Sequence, residues 1–240
     1  MADESNEAAA RGRRASDRGR YGRLSRERVL ATALEVVDRD GLSGLSMRKL
    51  GAELGVEAMA LYRYAAGKGA LLDGLVEAFC QELEEDLGAH PRADGWQREL
   101  HRIALATHGV ALRHPNVVPL LATRLLSTPL ARRPAAVLRS DERILALLHD
   151  AGMGEHRTVR VHRSFTAWLL GYLLVELRAM DDEPGEPDPA FRLGLHRLPA
   201  QEYPRLRATA VPMAAPGGPR RLAEGLDALL GSPSLSRDED

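Results

Sequence analysis

Apolar residues recur at intervals of three and four along most of this chain, a period that predicts helices and no strand of any length. Ser25 opens the first helix, with Glu27 in its first turn, where a negative charge suits the helix dipole. Val29, Leu30, Ala33, Leu34 and Val37 form its buried stripe, and Gly41 ends it. Two short helices follow in SMRKLGAELGVEAMALYRY, from Ser46 to Tyr64. Leu50, Leu54 and Leu61 fall on their inner faces, Val56 sits at the turn, and Ser46 is placed to cap the first of the pair. Gly55 stands where the chain must leave the helix, a position that favours a residue tolerating positive φ.

Beyond a connector, AAGKG, Leu71 to Leu87 predicts a longer helix with Leu72, Leu75, Val76, Phe79 and Leu83 on one side. Pro91 to Gly95 breaks the chain. Trp96 to His114 is then helical with Leu100, Ile103 or Ala104, Ala111 and Leu112 inward, and a short helix tightened by Pro119 follows Pro115. Pro134 to Asp150 is amphipathic and ends at Gly152 and Gly154. The longest candidate is Glu155 to Met180, where Val161, Phe165, Trp168, Leu169, Tyr172, Leu173, Val175 and Leu177 make most of the circumference apolar. Such a helix is expected to be covered on more than one side, by a second subunit as well as by the core. DDEPGEPDP is a loop; FRLGLHRL and RRLAEGLDALL are helices, and the Pro-rich stretch from Pro199 to Pro219 between them has no assignable pattern. The fold class is therefore all-α.

Composition narrows the partners. The net charge of −1 excludes a histone-like polycation, so any affinity for nucleic acid must come from charge placed locally. Through Leu72 there are thirteen Lys and Arg against ten Asp and Glu, a mild surplus in the right place. Lysine occurs only at positions 49 and 68 and arginine elsewhere, as GC-rich coding produces, so position and not arginine abundance is informative. Residues 1–24 are polar and carry Arg11, Arg13, Arg14, Arg18, Arg20 and Arg23; a disordered arm that either stays solvated or reaches phosphates is expected there. Residues 233–240 are a solvated tail. The single cysteine, Cys80, excludes an internal disulfide and suits a reducing compartment, and no long apolar run predicts a membrane span, so a cytoplasmic protein is expected.

Catalytic and metal chemistry find little support. His101 and His108 share a face but stand ~10 Å apart along a helix, too far for one ion. His149, His156 and His162 straddle a turn with no carboxylate or Cys at ligand spacing. No Gly-rich phosphate loop or nucleophile elbow occurs. No cofactor or metal is expected, and no enzyme. A small helical enzyme would need those three histidines to converge.

A helix, a tight Gly-containing turn and a second helix make the unit that delivers a helix into the DNA major groove. The run LSMRKLGAELGVEAMALYRYAAGKGALLDGL, with RVLATALEVVDRDG before it, resembles the DNA-binding segment of the tetracycline-repressor (TetR) family. Gly41, Leu45, Arg48, Leu50, Gly55-Val56, Leu61-Tyr62, Lys68 and Leu71-Leu72 carry the match. WLLGYLLVEL, FRLGLHRL and LAEGLDALL resemble, more loosely, its tetracycline-repressor-type C-terminal domain.

The resemblance implies a helix-turn-helix DNA-binding domain over 25–72 and a helical effector-binding and dimerisation domain over 73–232. It implies a homodimer through the long helix 155–180 and the C-terminal helix 219–231, reading a palindromic operator in double-stranded DNA. Carried over by position, Met47, Arg48, Ala58, Met59 and Ala60 would face bases. Tyr62, Tyr64 and Lys68 would grip the backbone, with Arg63 free for either. Arg48 alone of the base-facing set offers a bidentate pair to guanine; Met47, Ala58, Met59 and Ala60 offer apolar surface. A mostly apolar small-molecule effector is expected, with His108, Thr123, Arg124 and His162 as polar anchors and Trp96, Leu120, Phe165, Trp168 and Tyr172 as walls. The family's metal-binding histidines fall on Leu120 and about Glu84 here, which argues against tetracycline with magnesium. A repressor released by its effector is the reading this supports; the alternatives are a regulator without an effector, constitutive or activating, and the helical enzyme.

Overall fold

Two serines set the register of the N-terminal third. The computed structural model describes residues 24–181, 198–214 and 217–232, and calls falling on 1–23, on the loop and FRLGLHRL up to 197, and on 233–240 lie outside them. Ser25 accepts from the Arg28 amide and caps α1 (Arg26–Gly44), which breaks from helical geometry at Gly41, as its glycine predicts. Ser46 accepts from the Lys49 amide and caps α2 (Met47–Leu54). Gly55 ends α2 in the left-handed region, at φ 66° and ψ 30°. One turn of helix follows as α3 (Ala58–Leu61).

The remaining helices are α4 (Lys68–Gly88), α5 (Trp96–Arg113), α6 (Val118–Ser127), α7 (Ala135–Asp150), α8 (Glu155–Asp181), α9 (Pro204–Ala214) and α10 (Pro219–Leu230), with 3-10 turns at Pro115–Val117 and Leu130–Arg132. No strand occurs among the described residues. The all-α expectation holds, and the stretch without a pattern contains α9, whose Pro212 lies inside the helix. Helix α4 begins at Lys68, inside the expected connector, and buries Leu71, Leu75, Val76, Phe79 and Leu83. Leu72 is only half-buried, one position off the predicted stripe, and Leu112 on α5 is exposed. Among the described residues no helix is long and apolar enough to cross a membrane.

Contacts divide the chain into two compact units, Met1–Glu84 with Arg113–Arg139, and Glu85–Leu112 with Ser140–Asp240. The first unit is larger than a head confined to 25–72. Leu30 of α1 seats directly over Gly74 of α4, where a Cβ would collide with it. His114 places Nδ1 2.7 Å from Asp38 Oδ2 and Nε2 2.7 Å from Glu82 Oε2. Asn116 donates to the carbonyl of Val37 at 2.9 Å. These polar ties and the buried leucines 45, 50, 61, 71 and 75 make the head one core with the start of α4 and with 113–139.

In the second unit α8 buries a stripe of five residues spaced by four: Val161, Phe165, Leu169, Leu173 and Leu177. The predicted all-round apolar girth is not all covered by this chain, because Val175 stays 74% exposed and Val159 is exposed too. Leu222 and Leu226 of α10 are fully buried, and Gly225 brings that helix against the Trp168 ring. Glu99 is almost fully buried and held by two 2.8 Å bonds from Arg102 and one from the Ala93 amide. Burial pushes this carboxyl up, but the Arg102 fork and the amide outweigh it and leave Glu99 below its ordinary range.

Candidate nucleic-acid interface

The helix pair presents an apolar inside and a polar outside. Leu50 and Leu61 are fully buried, and between them the Val56 amide donates to the Gly51 carbonyl at 2.9 Å, closing the turn. This leaves Met59 74% exposed at the tip of α3 and Tyr62 48% exposed just after it. Arg48 is exposed on α2, with Met47, Ala58 and Ala60 half-buried beside these positions. Lys68 is exposed at the start of α4. Met47, Arg48, Ala58, Met59, Ala60, Tyr62 and Lys68 thus keep some or most of their surface in solvent on one short segment of chain.

Tyr64 behaves differently. Its hydroxyl donates to the Leu24 carbonyl at 2.8 Å, and Leu24, expected within the disordered arm, is buried. The Arg63 guanidinium lies 5.7 Å from the Tyr64 ring centre, within cation–π range. Tyr64 therefore ties down the chain entering α1, with Arg63 over its ring, a structural use that the carried-over positions do not show.

Charge on the head is sorted. Asp40 takes Lys49 at 2.8 Å and Arg39 at 2.9 Å, and Arg39 also reaches Glu53. The Lys49 and Arg39 bonds hold the Asp40 carboxyl below its ordinary range. Arg28, Arg48 and Lys68 have no side-chain hydrogen bond or ion pair among the described residues. These three cations are therefore left outside that network. Sequence reading passed over Arg28; its only signal was a place in the first turn of α1.

The expected effector residues fall in both units. In the first, Leu120 is buried, Thr123 donates back to the Pro119 carbonyl at 2.9 Å, and Arg124 pairs with Asp73 at 2.9 Å. Arg124 lines a cleft with Asp73, Val76, Thr128, Arg132, Arg133, Pro134 and Val137. Glu84 accepts from Arg139 Nε with both oxygens, at 2.9 and 3.0 Å.

In the second unit Phe165 is core, His108 Nε2 meets Glu176 at 3.1 Å, and Trp168 packs 5.8 Å from the Tyr172 ring. The Tyr172 hydroxyl donates to the Gly218 carbonyl at 3.1 Å and accepts from the Gly218 amide at 3.2 Å. Burial and then the nearby Glu176 charge push its phenol above the ordinary range. Trp96 lines an open groove with Arg92, Gly95, Leu147 and Asp150. His162 Nε2 lies 3.3 Å from Asp141 but without the alignment a hydrogen bond needs. His149 and His156 are exposed, and no group of three His, Cys, Asp or Glu able to hold a metal occurs among the described residues.

Residues 29–75 match the family model described as bacterial regulatory proteins, tetR family, and 88–231 match the tetracyclin repressor-like C-terminal domain. Among curated relatives, the HTH-type transcriptional repressor DrrR1 of Streptomyces coeruleorubidus is 32% identical over 174 residues, 72% of this chain and 60% of that protein. The chain thus spans about three fifths of that relative's length. The class D tetracycline repressor of Escherichia coli is 29% identical over 87% of this chain and 88% of its own. A crystal structure of a possible TetR family regulator from Streptomyces coelicolor superposes with a TM-score of 0.71 at 28% identity, covering 86% of this chain and 97% of that one. With both family models matched and helices placed as in that structure, the chain belongs to the tetracycline-repressor family, whose members are transcriptional regulators and not enzymes.

Proposed function

We propose that the protein is a homodimeric repressor that grips a palindromic operator with two copies of the α2–α3 head and is released by a small, mostly apolar effector. The observation that carries this is the head itself: Arg48, Met59 and Tyr62 exposed over buried Leu50 and Leu61, with Asp40 and Glu53 already occupied by Arg39 and Lys49. Two such heads spaced about 34–36 Å apart enter successive major grooves. Arg48 donates to guanine O6 and N7, which discriminates against a wrong base by ~1–3 kcal/mol. Met59 and the alanines add contact to thymine methyls. Lys68 and Tyr62 hold phosphates and set the register without reading sequence.

Dimerisation through α8 and α10 is supported by the exposed apolar positions Val159 and Val175 on α8. The effector acts by binding better to the arrangement in which the two heads are wrongly spaced, and lowers operator affinity by that difference. Footprinting of the wild-type chain on the DNA flanking its own gene tests the reading. A protected near-palindrome is expected, lost on Arg48→Ala with the dimer intact by sedimentation. Protection unchanged in Arg48→Ala would remove the contact assignment, and a monomer in sedimentation would remove the dimeric reading.

A further inference from the structure

The side chains that α3 leaves in solvent carry no hydrogen-bond donor. They are Ala58, Met59 and Ala60, on a helix of a single turn. A lone turn would fray in isolation, but this one is clamped at both ends. Gly51 of α2 comes so close that a Cβ there would meet the Val56 carbonyl at 2.8 Å and the Ala58 amide at 3.1 Å. At the other end Leu61 is fully buried, and its carbonyl accepts from the Ala65 amide at 3.0 Å. On this fixed turn Met59 is 74% exposed, and among the described residues no large apolar side chain is more exposed. Glu57, the residue before the helix, is the nearest strong acceptor along the chain; it is exposed and makes no capping bond.

In the major groove thymine shows an O4 acceptor and a C5-methyl group, whereas cytosine shows an N4 donor. Alanine has no polar side-chain atom, and a thioether sulfur is a weak acceptor with nothing to donate. Such a face does not tell O4 from an N4 amine. It tells a pyrimidine with a methyl group from one without, through the apolar surface taken out of water. We propose that α3 reads the C5-methyl group alone, with Met59 as the specificity-determining side chain. 5-Methylcytosine then replaces thymine in the operator, and cytosine methylation of the DNA tunes binding. This rests on the operator-binding reading above and adds a ligand class to it, the C5-methylated pyrimidine of either exocyclic chemistry. One methyl group buried per head is worth roughly fourfold in affinity, and a symmetric operator engages two heads, for on the order of tenfold in all. A Glu57 carboxylate accepting from N4 would instead favour cytosine over thymine with or without the methyl group.

The test uses the full chain and the duplex it protects in footprinting, made in four symmetric versions at each thymine of the half-site. Thymine or uracil stands opposite adenine, and 5-methylcytosine or cytosine opposite guanine, so that comparison within each pair removes any contact to the purine. At one position thymine is expected to bind about tenfold tighter than uracil, and 5-methylcytosine tighter than cytosine by the same factor. Met59→Ala, at an exposed position, is expected to bring both ratios close to unity. Equal binding within both pairs at every position would overturn the proposal and keep the repressor, and cytosine above thymine in that case would move the contact to Glu57. A methyl effect in one pair only, or ratios unchanged in Met59→Ala, would overturn it too. No protected DNA at all would remove both readings.

Discussion

Tyr62 and Tyr64 sit two residues apart and are chemically identical, yet of the two only the Tyr64 hydroxyl has a partner among the described residues, and phenylalanine at each tests whether their roles differ. The Tyr64 hydroxyl donates to the Leu24 carbonyl at 2.8 Å in a partly buried setting. Removing it loses one neutral hydrogen bond, worth about 0.5–1.5 kcal/mol net. For a chain of this length that lowers the melting midpoint by ~2–4 °C per kcal/mol. Tyr62 is 48% exposed and its hydroxyl has no partner among the described residues, so Tyr62→Phe should leave stability within about 0.5 kcal/mol. On DNA the order reverses. A hydroxyl bonded to a phosphate is a charge-assisted contact worth about 1.5–3 kcal/mol, so Tyr62→Phe should weaken operator binding roughly ten- to a hundredfold for each of the two heads. Its salt dependence should stay the same, because a hydroxyl displaces no counterion. Urea unfolding and operator titrations at several salt concentrations read both effects. If Tyr64→Phe kept full stability and lost tenfold in affinity, the Leu24 tether would be incidental and Tyr64 a phosphate contact after all.

Three further outcomes follow from local geometry. Gly55→Ala forces a side chain into the left-handed region at φ 66°, and a loss of about 1–2 kcal/mol is expected in urea unfolding; an unchanged midpoint would mean the turn relaxes. Ser46→Ala removes the α2 cap, whose 3.2 Å bond is long, so a cost in the lower half of about 0.5–2 kcal/mol is expected by the same measurement. Glu99→Gln breaks a buried fork, and the cost should fall at or below the low end of about 3–5 kcal/mol, since Arg102 keeps 19% of its side chain in solvent. Because the folded carboxyl lies below its ordinary value near 4.5, its contribution is complete above that pH and is lost as pH falls through the lowered folded value. Stability measured from pH 6 downward should therefore fall less steeply in Glu99→Gln than in the wild type; parallel curves would assign the acid limb to other carboxylates.

What the sequence disclosed is what is local. Ser25, Ser46 and Gly55 act within one turn of chain, so residue type and position were enough to place both caps and the left-handed exit. The helical period found nearly every helix for the same reason. It missed α9, where Leu206, Val211 and Met213 remain exposed and no buried stripe exists to repeat. It also put Leu72 inward where Leu71 goes, because adjacent leucines leave the phase of a stripe open by one position. Long-range pairings left no trace at all. Asp38 and His114 are 76 residues apart, and nothing periodic marks a histidine that will sit between two carboxylates. That tie joins 113–139 to the head, and Leu30 over Gly74 joins the start of α4 to it, which a reading by segments could not foresee. The Tyr64 tether was hidden for a different reason: position within a motif carries the residue but not the partner its hydroxyl finds.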